Sequence, residues 1–192
     1  MRAPSILSQE CAGFRLDAPL NGAGATPGFR VAIFLLGFVA MYTLLHGLYF
    51  ALPDPLLRDW VHYYGIVLPA AGIVNFMAPH EAVSAARGTL QSSSASLSIV
   101  RGCDGAGFAF LLSAAMLASP ARLRHKLAGV LGALLLTYLL NELRLVGLYF
   151  VLAHRSAWFS SLHDYFLPTF MILAGSVLFL CWTAWAREAR GR

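Results

Sequence analysis

One of the three cysteines, Cys103, lies in the stretch Arg101-Gly102-Cys103-Asp104-Gly105, between a polar segment and an apolar run. The glycines on either side allow another backbone to approach the thiol closely. The apolar run predicts a helix, and the N-terminal end of a helix favours a thiolate. This position favours a nucleophilic cysteine, although a small apolar residue at the start of a helix fits the same pattern.

Two residues farther along the chain complement a thiol. Arg144 lies within an apolar run, where a charged side chain costs about 2.5–3.5 kcal/mol and usually has a function. His163 precedes the last apolar run, and histidine can accept and return a proton near neutral pH. A cysteine nucleophile needs such a base, and a fixed arginine can stabilise the oxyanion formed by attack on an amide. Structural pairing of Arg144 with Glu142, or extension of Arg144 to the surface, remains an alternative.

The composition places these residues in a membrane protein. Of the 192 residues 58% are hydrophobic and 12% are charged, against about 25% charged in soluble domains. We predict an all-α integral membrane protein with about four transmembrane helices, at 31–52, 104–119, 127–153 and 166–186. A short, broken apolar stretch at 60–78 predicts an interfacial or re-entrant helix. The polar segment after it predicts a short extracytoplasmic hairpin or loop.

The distribution of basic residues predicts the topology. Residues 1–29 form a predicted flexible cytoplasmic tail, and 30–192 form a single membrane domain. Four spans with both termini inside place nine of the fourteen basic residues in the cytoplasm. Cys103, Arg144 and His163 then share the outer face, within a layer roughly 10–15 Å thick. Cys181 falls in the inner half of the last span, too far away to pair easily with Cys103.

Other classes of site have little support in the sequence. The net charge of +5 fits cytoplasmic anchoring residues, and no basic patch interleaved with aromatic residues predicts nucleic-acid binding. The three cysteines are not spaced as zinc ligands or as a disulfide framework. Several histidines lie on the outer side, but their spacing selects no metal site. We therefore expect no metal and no cofactor.

Three short motifs in order resemble the exosortase/archaeosortase family of membrane cysteine transpeptidases. The family pattern is Cys-x-Gly, then Asn-x-x-Arg, then a downstream His. The matching residues are Cys103-Asp104-Gly105, Asn141-Glu142-Leu143-Arg144 and Leu162-His163. The compact length and the Gly-Cys-Asp-Gly sequence are most similar to short bacterial exosortases such as exosortase H. Longer members of the family have more spans, so these four would form a minimal core.

The resemblance implies a function and a location. Such enzymes cleave C-terminal, PEP-CTERM-like sorting signals of secreted proteins through a thioester, and they transfer the product to an acceptor that the sequence leaves open. The signal consists of a short motif, a transmembrane helix and a basic tail. The implied location is the lipid bilayer of the bacterial inner (plasma) membrane, with the active site on the periplasmic side.

The resemblance also implies catalytic roles. Cys103 would be the nucleophile, His163 the general acid and base, and Arg144 the group that stabilises the oxyanion. Asn141, on the same helix face as Arg144, is expected to orient it by a hydrogen bond. Arg101 and Asp104 are supporting candidates, although solvated loop charges are equally compatible with their positions.

Two other classes of function remain open. A non-catalytic scaffold would pair with a partner helix through Arg144 and Glu142. A thiol-redox membrane protein is weaker, because no second cysteine is predicted on the outer face.

Overall fold

The computed structural model describes residues 26–191, so most of the predicted tail, including Cys11, lies outside the described residues. Residues from Phe34 onward form one compact unit, and the described residues before it group separately. Helices dominate the described chain, as expected for an all-α membrane protein. Three of them are long and apolar enough to cross a membrane: Gly28–Phe50, Leu123–His154 and Ser156–Ala189.

The first predicted span is helix α1 (Pro27–Phe50). A continuous helical run follows, formed by α2 (Asp54–Leu56), a π-helical segment (Leu57–Val67) and α3 (Leu68–Met77). This run contains the stretch predicted as interfacial or re-entrant, and it is not among the three candidate spans. One of its faces is buried and the other is exposed, so the run packs along the rest of the unit.

A small antiparallel sheet follows the run, where the sequence predicts a hairpin or loop. Its strands are β1 (Ser84–Ala86), β2 (Thr89–Gln91) and β3 (Ser96–Ser98), in the order β1-β2-β3. Arg87 and Gly88 connect β1 to β2, and both have a positive φ. Two such residues give the tight turn whose twist matches that of the flanking strands.

The second half of the unit is formed by α4 (Ala106–Ala118), α5 (Leu123–His154) and a helix that begins with α6 (Phe159–Ser161). That helix continues through a π-helical segment (Leu162–Phe166) into α7 (Leu167–Gly191). With 13 residues, α4 is about 20 Å long, whereas a hydrocarbon core is about 30 Å thick. The segment predicted as a span at 104–119 is therefore a shorter apolar helix. By length and composition, three helices of residues 26–191 are candidate spans, beside the four or so that the sequence predicts.

Both π-helical segments end two residues before a proline, Pro69 or Pro168. A proline has no backbone N–H, and its ring clashes with the carbonyl four residues earlier. A wider turn accommodates the ring without ending the helix. The second of these widened turns contains His163.

Two apolar clusters hold these elements together. In the first, the helical run and the sheet pack on the second half of α5 through residues such as Val67, Leu90 and Tyr149. In the second, α4, the first half of α5 and the end of α7 meet at Met116, Ala133 and Trp182. The end of α5 that carries Arg144 is therefore enclosed by the helical run and the sheet.

A substitution at Gly129 tests the close packing of the second apolar cluster. A Cβ at Gly129 would lie 2.4 Å from Nε1 of Trp182 and 2.9 Å from Sδ of Met116, whereas Gly132 on the same helix has nothing within 4 Å. We expect Gly129→Ala to cost about 1–3 kcal/mol, because the close packing must shift. Gly132→Ala is the matched control, and it should leave stability unchanged or raise it. Equal thermal unfolding midpoints for the two variants in detergent would contradict this packing.

Candidate active site

The loop that carries Cys103 is shaped by two glycines. The N–H of Cys103 donates to the carbonyl of Val100 at 3.0 Å, and Gly102 has φ +90°. These are the features of a tight turn that requires a positive φ at its third residue. Gly105 has φ +78°, and α4 begins immediately after it. Cys103 is thereby fixed between a turn and a helix start, with its side chain partly buried.

Gly105 also allows α4 to approach α5. A Cβ at this position would lie 3.2 Å from Cγ and from Oδ1 of Asn141. Glycine is therefore needed for two independent reasons, the left-handed backbone and the contact with Asn141. This contact gives a physical reason for a glycine two residues after the cysteine and for an asparagine on α5.

The structure brings Cys103, His163 and Arg144 together. Sγ of Cys103 lies 3.6 Å from Nε2 of His163. Nη2 of Arg144 lies 3.5 Å from the backbone carbonyl oxygen of His163. Cys103 lies in the loop before α4, His163 in the second π-helical segment and Arg144 in α5, and they are separated by up to 60 positions in the sequence.

His163 has a carboxylate partner on its other ring nitrogen. Nδ1 lies 2.7 Å from Oδ1 of Asp164, and the ring stacks on Phe159 with centroids 5.5 Å apart. Because a carboxylate only accepts hydrogen bonds, this contact places the proton on Nδ1. Nε2 then presents its lone pair to the thiol of Cys103. The arrangement is that of a nucleophile, a base and a residue that orients the base.

Arg144 is a charged residue within a candidate span. It is buried, with only 9% of its surface exposed. Its Nε has no hydrogen-bond partner among the described residues. Within residues 26–191 its side chain forms one hydrogen bond, the long one from Nη2 to the His163 carbonyl. The guanidinium therefore retains donors for an additional acceptor, next to the backbone of His163.

Asn141 and Glu142 do not make the contacts with Arg144 that the sequence predicts or allows. No hydrogen bond joins Asn141 to Arg144 in the described chain, because the amide of Asn141 lies against Gly105 and its Oδ1 has no partner. Glu142 is also buried, and neither of its oxygens is paired with an arginine within residues 26–191. Asn141 acts here by packing, not by orienting the guanidinium.

Arg101 connects the cysteine loop to the end of α1. Its Nε donates to Asp54 at 2.9 Å, and its Nη1 donates to the backbone carbonyl of Tyr49 at 3.0 Å. The guanidinium also lies 5.4 Å from the centre of the Tyr49 ring. Carbonyls at the C-terminal end of a helix lack helical partners and attract cations. Arg101 is therefore an anchor and not a solvated loop charge.

Asp104 forms a buried cluster that the sequence did not predict. Its carboxylate accepts hydrogen bonds from the Tyr49 hydroxyl, from Nε2 of His62 at 3.0 Å and from the Ala106 N–H at 3.1 Å. The side chains of His62 and Asp104 are only 3% and 4% exposed. Burial alone would raise the pKa of Asp104, but the hydrogen bonds from His62, Tyr49 and Ala106 hold it below its usual value.

Three residues that contribute to the site were not identified from the sequence. For one of them the sequence contains an indication that could have been used. Asp164 directly follows His163, so a carboxylate beside the candidate base could have been noted from the sequence. Nothing in the sequence indicates His62 or Tyr49, because their contacts with Asp104 depend on how separate helices face one another.

The Asp104 cluster predicts a pH-dependent contribution to stability. Because the folded pKa lies below the usual 3.8, the ionised carboxylate stabilises the fold above that pH, and the contribution is lost as the pH falls through the folded pKa. Asp104→Asn should lose about 1.5–3 kcal/mol near neutral pH, the usual worth of hydrogen bonds to a charged group. The gap in thermal midpoint between wild type and variant should shrink below pH 3.8.

Asp59→Asn is the matched control for Asp104→Asn. Asp59 pairs with Arg58 on the exposed surface of the same unit, where such pairs contribute little. Equal losses for the two variants, or a gap that does not change with pH, would contradict the role assigned to Asp104.

No protein-family model, no curated protein and no solved structure matches this chain. Its function is therefore inferred from its own sequence motifs and from the geometry of its residues.

Proposed function

We propose that this chain is a membrane-bound cysteine protease and transpeptidase. It cleaves C-terminal sorting signals of secreted proteins through a thioester at Cys103 and transfers the product to an acceptor. The observation that carries the proposal is the 3.6 Å approach of the Cys103 sulfur to Nε2 of His163, whose backbone carbonyl contacts the buried guanidinium of Arg144. The motifs shared with the exosortase/archaeosortase family supply the substrate class.

The first half of the reaction forms the acyl-enzyme. Nε2 of His163 accepts the thiol proton as the Cys103 sulfur attacks the carbonyl carbon of the scissile amide. Arg144 donates hydrogen bonds to the oxyanion of the tetrahedral intermediate. The imidazolium then protonates the leaving nitrogen, the C–N bond breaks, and the C-terminal tail departs with a new amino group.

The second half releases the product. His163, again neutral, removes a proton from the acceptor nucleophile as it attacks the thioester carbonyl. The C–S bond breaks, and the proton returns to the Cys103 sulfur. The carboxylate of Asp164 accepts a hydrogen bond from Nδ1–H throughout, and the proton stays on the ring. Nε2 therefore remains the nitrogen that exchanges protons with substrates.

The alternatives have less support from the geometry. A scaffold would present Arg144 and Glu142 to a partner helix, yet both side chains are buried within this chain. A redox role needs a second thiol near Cys103. Cys181 lies about 18 residues after His163, or roughly 27 Å along a helix, and no other cysteine lies within residues 26–191.

Reactivity of the thiol tests the Cys103–His163 pair without any substrate. In a Cys11→Ser/Cys181→Ser background, iodoacetamide should modify Cys103, and His163→Ala should slow that modification several-fold at neutral pH, because the thiol loses its proton acceptor. Mass spectrometry gives the rate. His154→Ala is the matched control, since its side chain faces Glu81. Equal rates in all three proteins would contradict the pairing.

Processing of a reporter tests the reaction itself. The chain is co-expressed with a secreted reporter carrying a sorting tail encoded beside its gene, and the size of the reporter is followed on a gel. Cys103→Ala should abolish cleavage, and Arg144→Gln should slow it about 10²–10³-fold, the usual effect of losing an oxyanion donor. Cys181→Ala is the control and should cleave normally. Cleavage by Cys103→Ala at the wild-type rate would overturn the proposal.

A further inference from the structure

A cleft of about 560 Å³ lies at the opposite end of α5 and α7 from Cys103. It is formed by the start of α5 and the last turns of α7, and its lining residues are Arg122, Arg124, His125, Trp185, Glu188 and Ala189. Trp185 comes about 22 residues after His163, which is roughly 33 Å along a helix. The cleft is therefore separate from the candidate active site.

The wall of the cleft is held by packing between α5 and α7. The His125 ring lies edge-on to Trp185, with centroids 4.6 Å apart, and the backbone carbonyl of His125 accepts a hydrogen bond from Nε1 of Trp182 at 2.8 Å. The missing Cβ of Gly129 permits this close approach. His125 is only 3% exposed, so the aromatic wall is preformed.

The cleft carries more positive than negative charge. Arg122 and Arg124 form no ion pair with any residue of the described chain, and Glu188 is the one acidic residue in the lining. The α5 N-terminus has no side-chain cap and no acidic residue in its first turn. Nδ1 of His125 is buried without a hydrogen-bond partner in residues 26–191. A helix N-terminus and two arginines favour an anion, and the unpaired ring nitrogen can donate a hydrogen bond to one as its N–H tautomer.

An apolar strip continues from the cleft along α5. Leu123, Leu127 and Leu131 recur at intervals of four residues, so they share one face of the helix. They are 68%, 53% and 66% exposed, and α5 is long and apolar enough to cross a membrane. Trp185, at the same end of α7, has the amphipathic ring that is common at membrane interfaces. A charged cleft above an apolar strip matches a molecule with an anionic head and an acyl chain.

We propose that this cleft binds the headgroup of an anionic phospholipid. Arg122 and Arg124 contact its phosphate, and the lipid's acyl chain lies along the leucines of α5. Basic clefts between helices at one membrane surface are suited to such headgroups. The basic tail of a sorting signal does not fit here, because the two arginines would repel it. The proposal does not depend on the activity of Cys103.

The test is a competition between two lipids on the purified full-length chain. Detergent-solubilised protein is mixed with equal amounts of phosphatidylglycerol and phosphatidylcholine that carry the same acyl chains. Native mass spectrometry then measures the ratio of bound lipids. Wild type should prefer phosphatidylglycerol. Each arginine replaced should reduce that preference about fivefold, so Arg124→Gln should be intermediate and Arg122→Gln/Arg124→Gln should bind both lipids nearly equally.

Arg155→Gln is the matched control, because this exposed arginine follows the other end of α5 and should leave the preference unchanged. Thermal midpoints equal to that of wild type show that the variants are folded, which is expected because both cleft arginines are exposed. No lipid preference in wild type, or a full preference in the double variant, would overturn the proposal. Displacement of the lipid by millimolar inorganic phosphate would reassign the cleft to free phosphate.

Discussion

The carboxylate of Asp104 connects three helical segments at the residue next to Cys103. Tyr49 reaches it from α1, His62 from the helical run, and the Ala106 N–H from the first turn of α4. A buried carboxylate is unfavourable unless its oxygens are paired, so these contacts hold only when all three segments are in place. The position of Cys103 thus depends on the packing of the unit and not only on the local turn.

A second constraint comes from placing polar groups in apolar surroundings. Arg144 lies about 10 residues before the end of α5, or roughly 15 Å along the helix, and it is buried against the element that carries His163. Because it has no acidic partner in the described chain and only the long contact to the His163 carbonyl, its burial is costly. Burial of this guanidinium lowers stability, so its position is better explained by interaction with negative charge that develops during a reaction. The same reasoning disfavours a purely structural arginine.

The sequence predicted which residues lie near one another better than it predicted their individual contacts. An apolar helix advances a fixed distance per residue, so the spans alone place Cys103, Arg144 and His163 near one face, and the structure brings them together. Rotation about each helix axis is set by tertiary packing, so Asn141 could be placed on the arginine's face but not against Gly105. The contact between His62 and Asp104 could not be predicted from the sequence for the same reason. The helix α4 is shorter than the predicted span at 104–119 because it begins only after Gly105.

The two ends of α5 and α7 have opposite chemical requirements. In the proposed reaction the end near Cys103 admits a peptide and an acceptor, and it offers a thiol, an imidazole and a guanidinium that retain free lone pairs or donors. The far end carries Arg122, Arg124 and Trp185, which suit an anionic surface. A lipid headgroup held there would limit how far the helices slide along the membrane normal. Because His163 and Trp185 lie on one continuous helix, fixing the depth of one fixes the depth of the other. The basic cleft would in this way keep the candidate active site at the membrane surface, where the proposed cleavage site of a single-span substrate would also lie.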